Sequence, residues 1–195
     1  MSIDAFLRYC EEGNVAKVKQ LLAIPIILSD RDFESAFSLA VTFNHVEIVS
    51  ALYDSKPAND NILLKSVKTG IRSACEDDHL EMVKLLFELN PSIVLEQKDR
   101  NLFIMACVND FLDIAKWLFN VYKDNNKSLS RLELENIKRR DVTPEVREWL
   151  DRMIMQQGGK KSTKTNKKYK NKNKYKYKRN KTIKRRRNKG HSLKK

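Results

Sequence analysis

Four stretches of this chain repeat one another, and the repetition constrains the fold more than any single residue does. They are Phe6-Leu7-Arg8-Tyr9-Cys10-Glu11-Glu12-Gly13-Asn14, Phe37-Ser38-Leu39-Ala40-Val41-Thr42-Phe43-Asn44-His45, Ile71-Arg72-Ser73-Ala74-Cys75-Glu76-Asp77-Asp78-His79 and Phe103-Ile104-Met105-Ala106-Cys107-Val108-Asn109-Asp110-Phe111. The anchors Gly13, Asn44, Asp78 and Asp110 are separated by 31, 34 and 32 residues. After each comes an amphipathic run, such as Val46-Glu47-Ile48-Val49-Ser50-Ala51-Leu52 or Leu80-Glu81-Met82-Val83-Lys84-Leu85-Leu86. A period of this size marks a stacked array, because one unit cannot bury its own apolar face. Apolar residues recur at helical intervals on both sides of the anchor, so each unit reads as a helix, a tight turn and a second helix. Gly, Asn and Asp are the residues that tolerate the left-handed backbone at a helix end. The mostly small pairs before the anchor (Tyr9-Cys10, Ala40-Val41, Ala74-Cys75, Ala106-Cys107) let first helices of neighbouring units approach closely.

Asp78-His79-Leu80-Glu81-Met82-Val83-Lys84-Leu85-Leu86 is similar to the Gly-His-Leu-Glu-Ile-Val-Lys-Leu-Leu phrase of ankyrin repeats, and Asn44-His45-Val46-Glu47-Ile48-Val49 nearly as much so. Over residues 2–122 the chain resembles the ankyrin repeat family. The family's Thr-Pro-Leu-His opening is kept only as Thr69-Gly70-Ile71-Arg72, and its turn glycine only at Gly13. The Trp-Leu-Gly-Tyr-Ala-Phe-Pro pattern of tetratricopeptide repeats is absent. The resemblance implies an all-α, ankyrin-type helical solenoid of about four repeats, at 1–29, 30–63, 64–95 and 96–122. Residues 123–157 are expected to add capping helices. One spans 128–139, amphipathic through Leu129, Leu132, Leu134 and Ile137; a second opens at Thr143-Pro144-Glu145, a capping hydroxyl, a first-turn proline and an acid. The sparse glycine, the Ala-Cys pairs and a Lys/Asn/Tyr-rich C-terminus are similar in composition to ankyrin proteins of large DNA viruses of protists.

Charge divides the chain sharply. The 195 residues carry 39 basic and 25 acidic side chains, but residues 160–195 hold 19 Lys or Arg and no acid. The remainder is therefore net acidic by five charges. Helical periodicity stops at Gly158-Gly159, and one Ile and one Leu cannot offset the entropy of ordering the segment beyond. Residues 158–195 are expected to be a disordered basic tail. Within it, Tyr169, Tyr175 and Tyr177 offer rings for base stacking among phosphate-binding lysines, and Lys184-Arg185-Arg186-Arg187 is a cluster of the kind import receptors accept. A solubilising tail with general polyanion affinity would have the same composition. No lipidation signal or amphipathic stripe accompanies the charge.

Little in the body suggests catalysis. Cys10, Cys75 and Cys107 share one repeat position; helices about 8–10 Å apart hold them beyond the ~7 Å Cα limit of a disulfide, so they read as small buried hydrophobes. His45 and His79 recur at the start of second helices and read as structural, while His191 lies in the tail. Trp117 and Trp149 fall on apolar stripes and are expected in the core. There is no phosphate loop, paired-His metal motif or nucleophile elbow. The expectation is a non-enzymatic chain without cofactor. The absence of a secretory leader, of an apolar run near ~20 residues and of an even cysteine count points to an intracellular setting, cytoplasm or nucleus.

The resemblance implies where a partner would bind: the loop before each first helix and the two residues after the small pair. These are Arg31, Asp32 and Glu34 with Thr42 and Phe43; Lys65, Ser66 and Lys68 with Glu76 and Asp77; and Gln97, Lys98 and Arg100 with Val108 and Asn109. Phe43 is either an exposed aromatic anchor or a ring packed under the adjacent loop. The sequence thus supports a monomeric docking module that binds a protein through its repeats and is tethered to nucleic acid or the nucleus by its tail. The alternative is a nucleic-acid-binding protein in which the tail is the active element and the repeats are a platform.

Overall fold

Each of the four anchors sits in the left-handed region: Gly13 at φ 77°, Asn44 at 59°, Asp78 at 61° and Asp110 at 67°. The hydrogen bonds around them are the same in every unit. The backbone N–H after the anchor donates to the carbonyl five residues back, Asn14 to Tyr9, His45 to Ala40, His79 to Ala74 and Phe111 to Ala106, at 2.8–2.9 Å. This is the Schellman closure, which satisfies a carbonyl the helix end would leave unpaired. A fifth copy follows the next helix, with Asn126 at φ 57° and Lys127 N–H donating to Tyr122 O at 2.8 Å.

The structure, a computed structural model, describes residues 2–24, 28–55, 60–95 and 100–157. Among them every regular element is a helix: α1 Ile3–Glu12, α2 Val15–Leu22, α3 Asp30–Thr42, α4 Val46–Ser55, α5 Asp60–Glu76, α6 Leu80–Leu89, α7 Ser92–Leu95, α8 Asn101–Val108, α9 Leu112–Asp124, α10 Arg131–Lys138 and α11 Pro144–Gln156. They fall within one compact unit, Met1–Gly158. The expected tail, 158–195, lies outside the described residues.

The helices pair as hairpins α1–α2, α3–α4, α5–α6 and α8–α9, and the hairpins stack in chain order. First helices α1, α3, α5 and α8 touch in succession, as do second helices α2, α4, α6 and α9, giving two layers. The small residues before the turns stand where the layers are tightest. Cys10, Ala40, Ala74, Cys75, Ala106 and Cys107 are all completely buried, whereas Tyr9 is only half-buried. Gly70 shows how little room remains: a Cβ there would lie 3.2 Å from Phe37 and 3.3 Å from Val41 on α3. A fifth hairpin, α10–α11, closes the end through Trp149, whose ring lies 6.1 Å from Phe103 and 5.8 Å from Phe119. Helix α11 starts as its sequence predicts, with Thr143 accepting from Val146 N–H and Pro144 in the first turn.

Several expectations need correcting. α3 and α5 begin at Asp30 and Asp60, so residues 31–34 and 65–68 are helical rather than loop, and the division expected at 63/64 cuts α5. The division at 122/123 likewise falls inside α9. Residues 60–69 contain no proline but are mostly middling helix formers, and it is the packing of Ile62, Leu63 and Val67 against the core that extends the helix instead of leaving a loop. Capping residues for α10 are found two residues later than 128: Ser130 and Glu133 form a reciprocal capping box. Leu132 is 60% exposed, because two positions from Leu134 it points to the opposite side of the helix from Leu134 and Ile137. Trp117 is half-buried and meets the edge of Phe87 at 5.3 Å.

The three cysteines are free thiols buried in the first-helix layer, and burial pushes each up to about 12 from an ordinary value of 9.0. A thiol held neutral in the folded chain but free to ionise when unfolded stabilises the fold below pH 9 and ceases to do so as pH rises toward 12. Urea midpoints should therefore fall across that alkaline window, and fall less in Cys75→Ala.

Gly13 supplies a second check. A Cβ at this position would lie 2.5 Å from the His45 ring, and Gly13 already occupies left-handed backbone. Gly13→Ala should cost about 1–3 kcal/mol in urea unfolding, and less in a His45→Ala background, where the clash is removed.

Candidate docking face

The ends of the first helices bring the paired positions into one row. Thr42 and Phe43 end α3, Glu76 and Asp77 lie at and just beyond the end of α5, and Val108 and Asn109 hold the same place on α8. Since α3, α5 and α8 pack side by side, these pairs follow one another along the edge that carries the turns. Thr42, Phe43, Glu76 and Asp77 are exposed, while Val108 and Asn109 are half-buried, with Val108 packed against the core. The row therefore passes from aromatic to acidic to apolar. Phe43 is 48% exposed, so its ring is not covered by a loop. It stands beside His45, centroids 6.3 Å apart and planes 16° from parallel. His45 itself is held by the preceding unit, its Nε2 2.8 Å from Glu11 O. Next along the edge, Asp78 is pushed up from the usual carboxylate value, chiefly by desolvation and then by the like charge of Asp113, with His79 opposing both.

The other set of expected contact residues divides. Arg31, Lys65 and Lys68 are exposed on α3 and α5. Glu34 reaches across to α5, where Lys65 Nζ approaches Glu34 Oε1 at 2.6 Å as an ion pair. Asp32 is occupied in capping α3: Ser29 Oγ donates to its carboxylate at 2.6 Å, and Asp32 N–H donates back to Ser29 Oγ. Ser66 is buried, 5% exposed, rather than set on an open loop; its position on α5 faces α3 because Val67, Gly70 and Ile71 share the packed side. Gln97 and Lys98 lie outside the described residues, as do Tyr169, Tyr175, Tyr177, Lys184, Arg185, Arg186 and Arg187.

Arg100 is the clearest departure. It caps α8 from left-handed backbone at φ 50°. Its guanidinium lies over the Tyr122 ring, 4.4 Å from the centroid, and donates to Lys127 O at 2.8 Å. Lys127 Nζ in turn donates to Leu95 O at 2.6 Å. The two cations thus cross-link the segments before α8 and after α9, and Arg100 is committed to the fold rather than to a partner. Tyr122 is buried, and desolvation pushes its phenol up to about 12 against the pull of Arg100. No spacing rule in the sequence announced this latch, because its members are 27 and 32 residues apart.

Among the described residues no group of three or more His, Cys, Asp or Glu could hold a metal ion, and no helix is long and apolar enough to cross a membrane. His45 and His79 belong to separate hairpins, and His79 Nδ1 is buried without a partner. Sequence reasoning missed a groove of about 290 Å³ between α3 and α5, floored by Phe37, Val41 and Gly70. The available signal was the spacing of Ser66, Gly70 and Ser73, small residues along one face of α5. Comparison with family models, curated proteins and solved structures returned no match for this chain.

The contrast between Phe43 and Arg100 is measurable. Arg100→Ala should lower unfolding free energy by about 1–3 kcal/mol, through the lost ring contact and an unpaired Lys127 carbonyl. Phe43→Ala, at an exposed position, should stay within about 0.5 kcal/mol of the parent. Equal losses in urea titrations would contradict the division of roles.

Proposed function

We propose that the chain is a non-enzymatic protein-docking module of the ankyrin-repeat kind, its first four hairpins forming the solenoid and α10–α11 the cap. The observation that carries this reading is the recurrence of one turn, left-handed at Gly13, Asn44, Asp78 and Asp110, between helices that stack in two layers. Such an array is quasi-one-dimensional and offers a long surface whose exposed residues vary while its buried ones repeat. Thr42, Phe43, Glu76 and Asp77 are the exposed part of that surface, and an unburied Phe43 supplies the apolar anchor docking surfaces use. The basic tail then carries the docked partner to nucleic acid or into the nucleus. Partner recognition belongs to the body, and polyanion affinity to the tail.

A second reading is favoured by the 19 Lys or Arg without an acid in 160–195: a nucleic-acid-binding protein in which the tail is the active element and the repeats are its platform. One experiment separates the two. Affinity capture is run with full-length protein, with Phe43→Ala, and with residues 160–195 removed, each with and without nuclease. The docking reading expects nuclease-resistant protein partners that survive removal of the tail and drop out with Phe43→Ala. If every captured protein is released by nuclease or lost with the tail, the second reading replaces it. Retention on nucleic acid by the full chain should fall by about 10³–10⁵ in affinity between 50 and 200 mM salt, assuming six to ten phosphate contacts.

A further inference from the structure

The groove between α3 and α5 combines features that surface creases lack. Ser66 Oγ lines it and is buried with no hydrogen-bond partner, while Glu34 Oε1, buried beside it in the same groove, has only the Lys65 ammonium as its partner. Buried polar atoms are normally satisfied, and one left unpaired is costly, so Ser66 Oγ at the groove points to a ligand that supplies a donor. The Lys65 ammonium approaches Glu34 but leaves Ser66 unpaired. The pair is also unequal: the Lys65 side chain is 63% exposed and that of Glu34 only 32%. An exposed lysine on a flexible stem gains little from such a pair and is readily displaced. The floor beneath is apolar, from Phe37, Val41 and the bare backbone of Gly70. At about 290 Å³ the groove sits at the small end of ligand sites, matching one long side chain rather than a cofactor.

We propose that this groove takes a single arginine side chain of a partner protein, its guanidinium replacing the Lys65 ammonium on Glu34. The inference deepens the docking reading above and rests on it. Guanidinium carries five N–H donors in a planar fork, so two can meet the Glu34 carboxylate and another Ser66 Oγ, which an ammonium's compact geometry does not reach. The alkyl stem lies along the apolar floor. The net acidic charge of residues 1–159 favours the approach of a basic segment.

The test uses the full chain labelled with ¹⁵N and titrated with N-acetyl-arginine methylamide, with the citrulline and lysine analogues as controls. Saturable shifts are expected at the Gly70 and Val41 amides, with arginine at least about tenfold tighter than citrulline or lysine. Glu34→Gln should weaken arginine by at least about tenfold. Lys65→Ala should tighten it about two- to fivefold, since it removes the competitor. Equal binding of citrulline, shifts spread over the acidic surface instead of the groove, or weaker binding in Lys65→Ala would overturn the proposal. Lys65→Ala decides the matter by itself should Glu34→Gln disturb the helix. The two readings fail separately. Arginine binding without nuclease-resistant partners counts against the docking module, and partner capture that persists in Glu34→Gln counts against the groove.

Discussion

A hairpin of two short helices has apolar residues on more faces than its own pair can cover, and everything else in this molecule follows from how neighbours cover the remainder. Cys10 and its counterparts Val41, Cys75 and Cys107 are essentially inaccessible because each stands between successive first helices, where a large residue would force the layer apart. Gly70 marks the limit of this approach, with the α3 side chains Phe37 and Val41 inside normal contact distance of where a Cβ would be and Leu86 of α6 just at it. A stack built this way has no centre. Its core is a line of buried residues from Phe6 to Ile154, and each hairpin depends chiefly on the one before and the one after.

The polar cross-links obey the same rule. His45 holds the carbonyl of Glu11, Tyr53 donates to Leu89 O at 3.2 Å, Lys127 to Leu95 O, and Thr143 to Asp110. Their separations of 34, 36, 32 and 33 residues are all about one unit. Each ties a hairpin to its neighbour and none skips one. Side chain to backbone bonds of this kind fix the offset between units more sharply than apolar contact can, because a hydrogen bond tolerates only a few tenths of an ångström. At the C-terminal end aromatic packing takes over: Trp149 with Phe103 and Phe119 holds α11 where small residues no longer define the interface.

The division between fold and surface is therefore uneven along the chain. Arg100 and Ser66 stand at positions expected to meet a partner, yet one is part of a latch and the other lies beneath a groove. Phe43, an aromatic side chain ill suited to water, is nevertheless left exposed. Longer first helices explain part of this. Because α5 runs from Asp60 to Glu76, residues that a loop would present to solvent are wound onto a cylinder, and every third or fourth of them turns inward.

The amino-acid sequence alone determined the period, the turn residues, the two layers of helices that follow from them and the separation of an acidic body from a basic tail. Those features depend on residues close in the chain: an Asp or Asn that accepts left-handed backbone, apolar positions three and four apart, a run of lysines without acids. The α11 start was legible for the same reason, since Thr143, Pro144 and Glu145 act on the turn they begin. The Arg100–Tyr122–Lys127 latch, the helical start of α5, the exposure of Leu132 and the groove beside Glu34 were decided only when the hairpins stacked. Each depends on groups about 22 to 32 residues apart, or on which side of a helix its neighbour covers. Local spacing leaves that rotation and offset open, and packing fixes them.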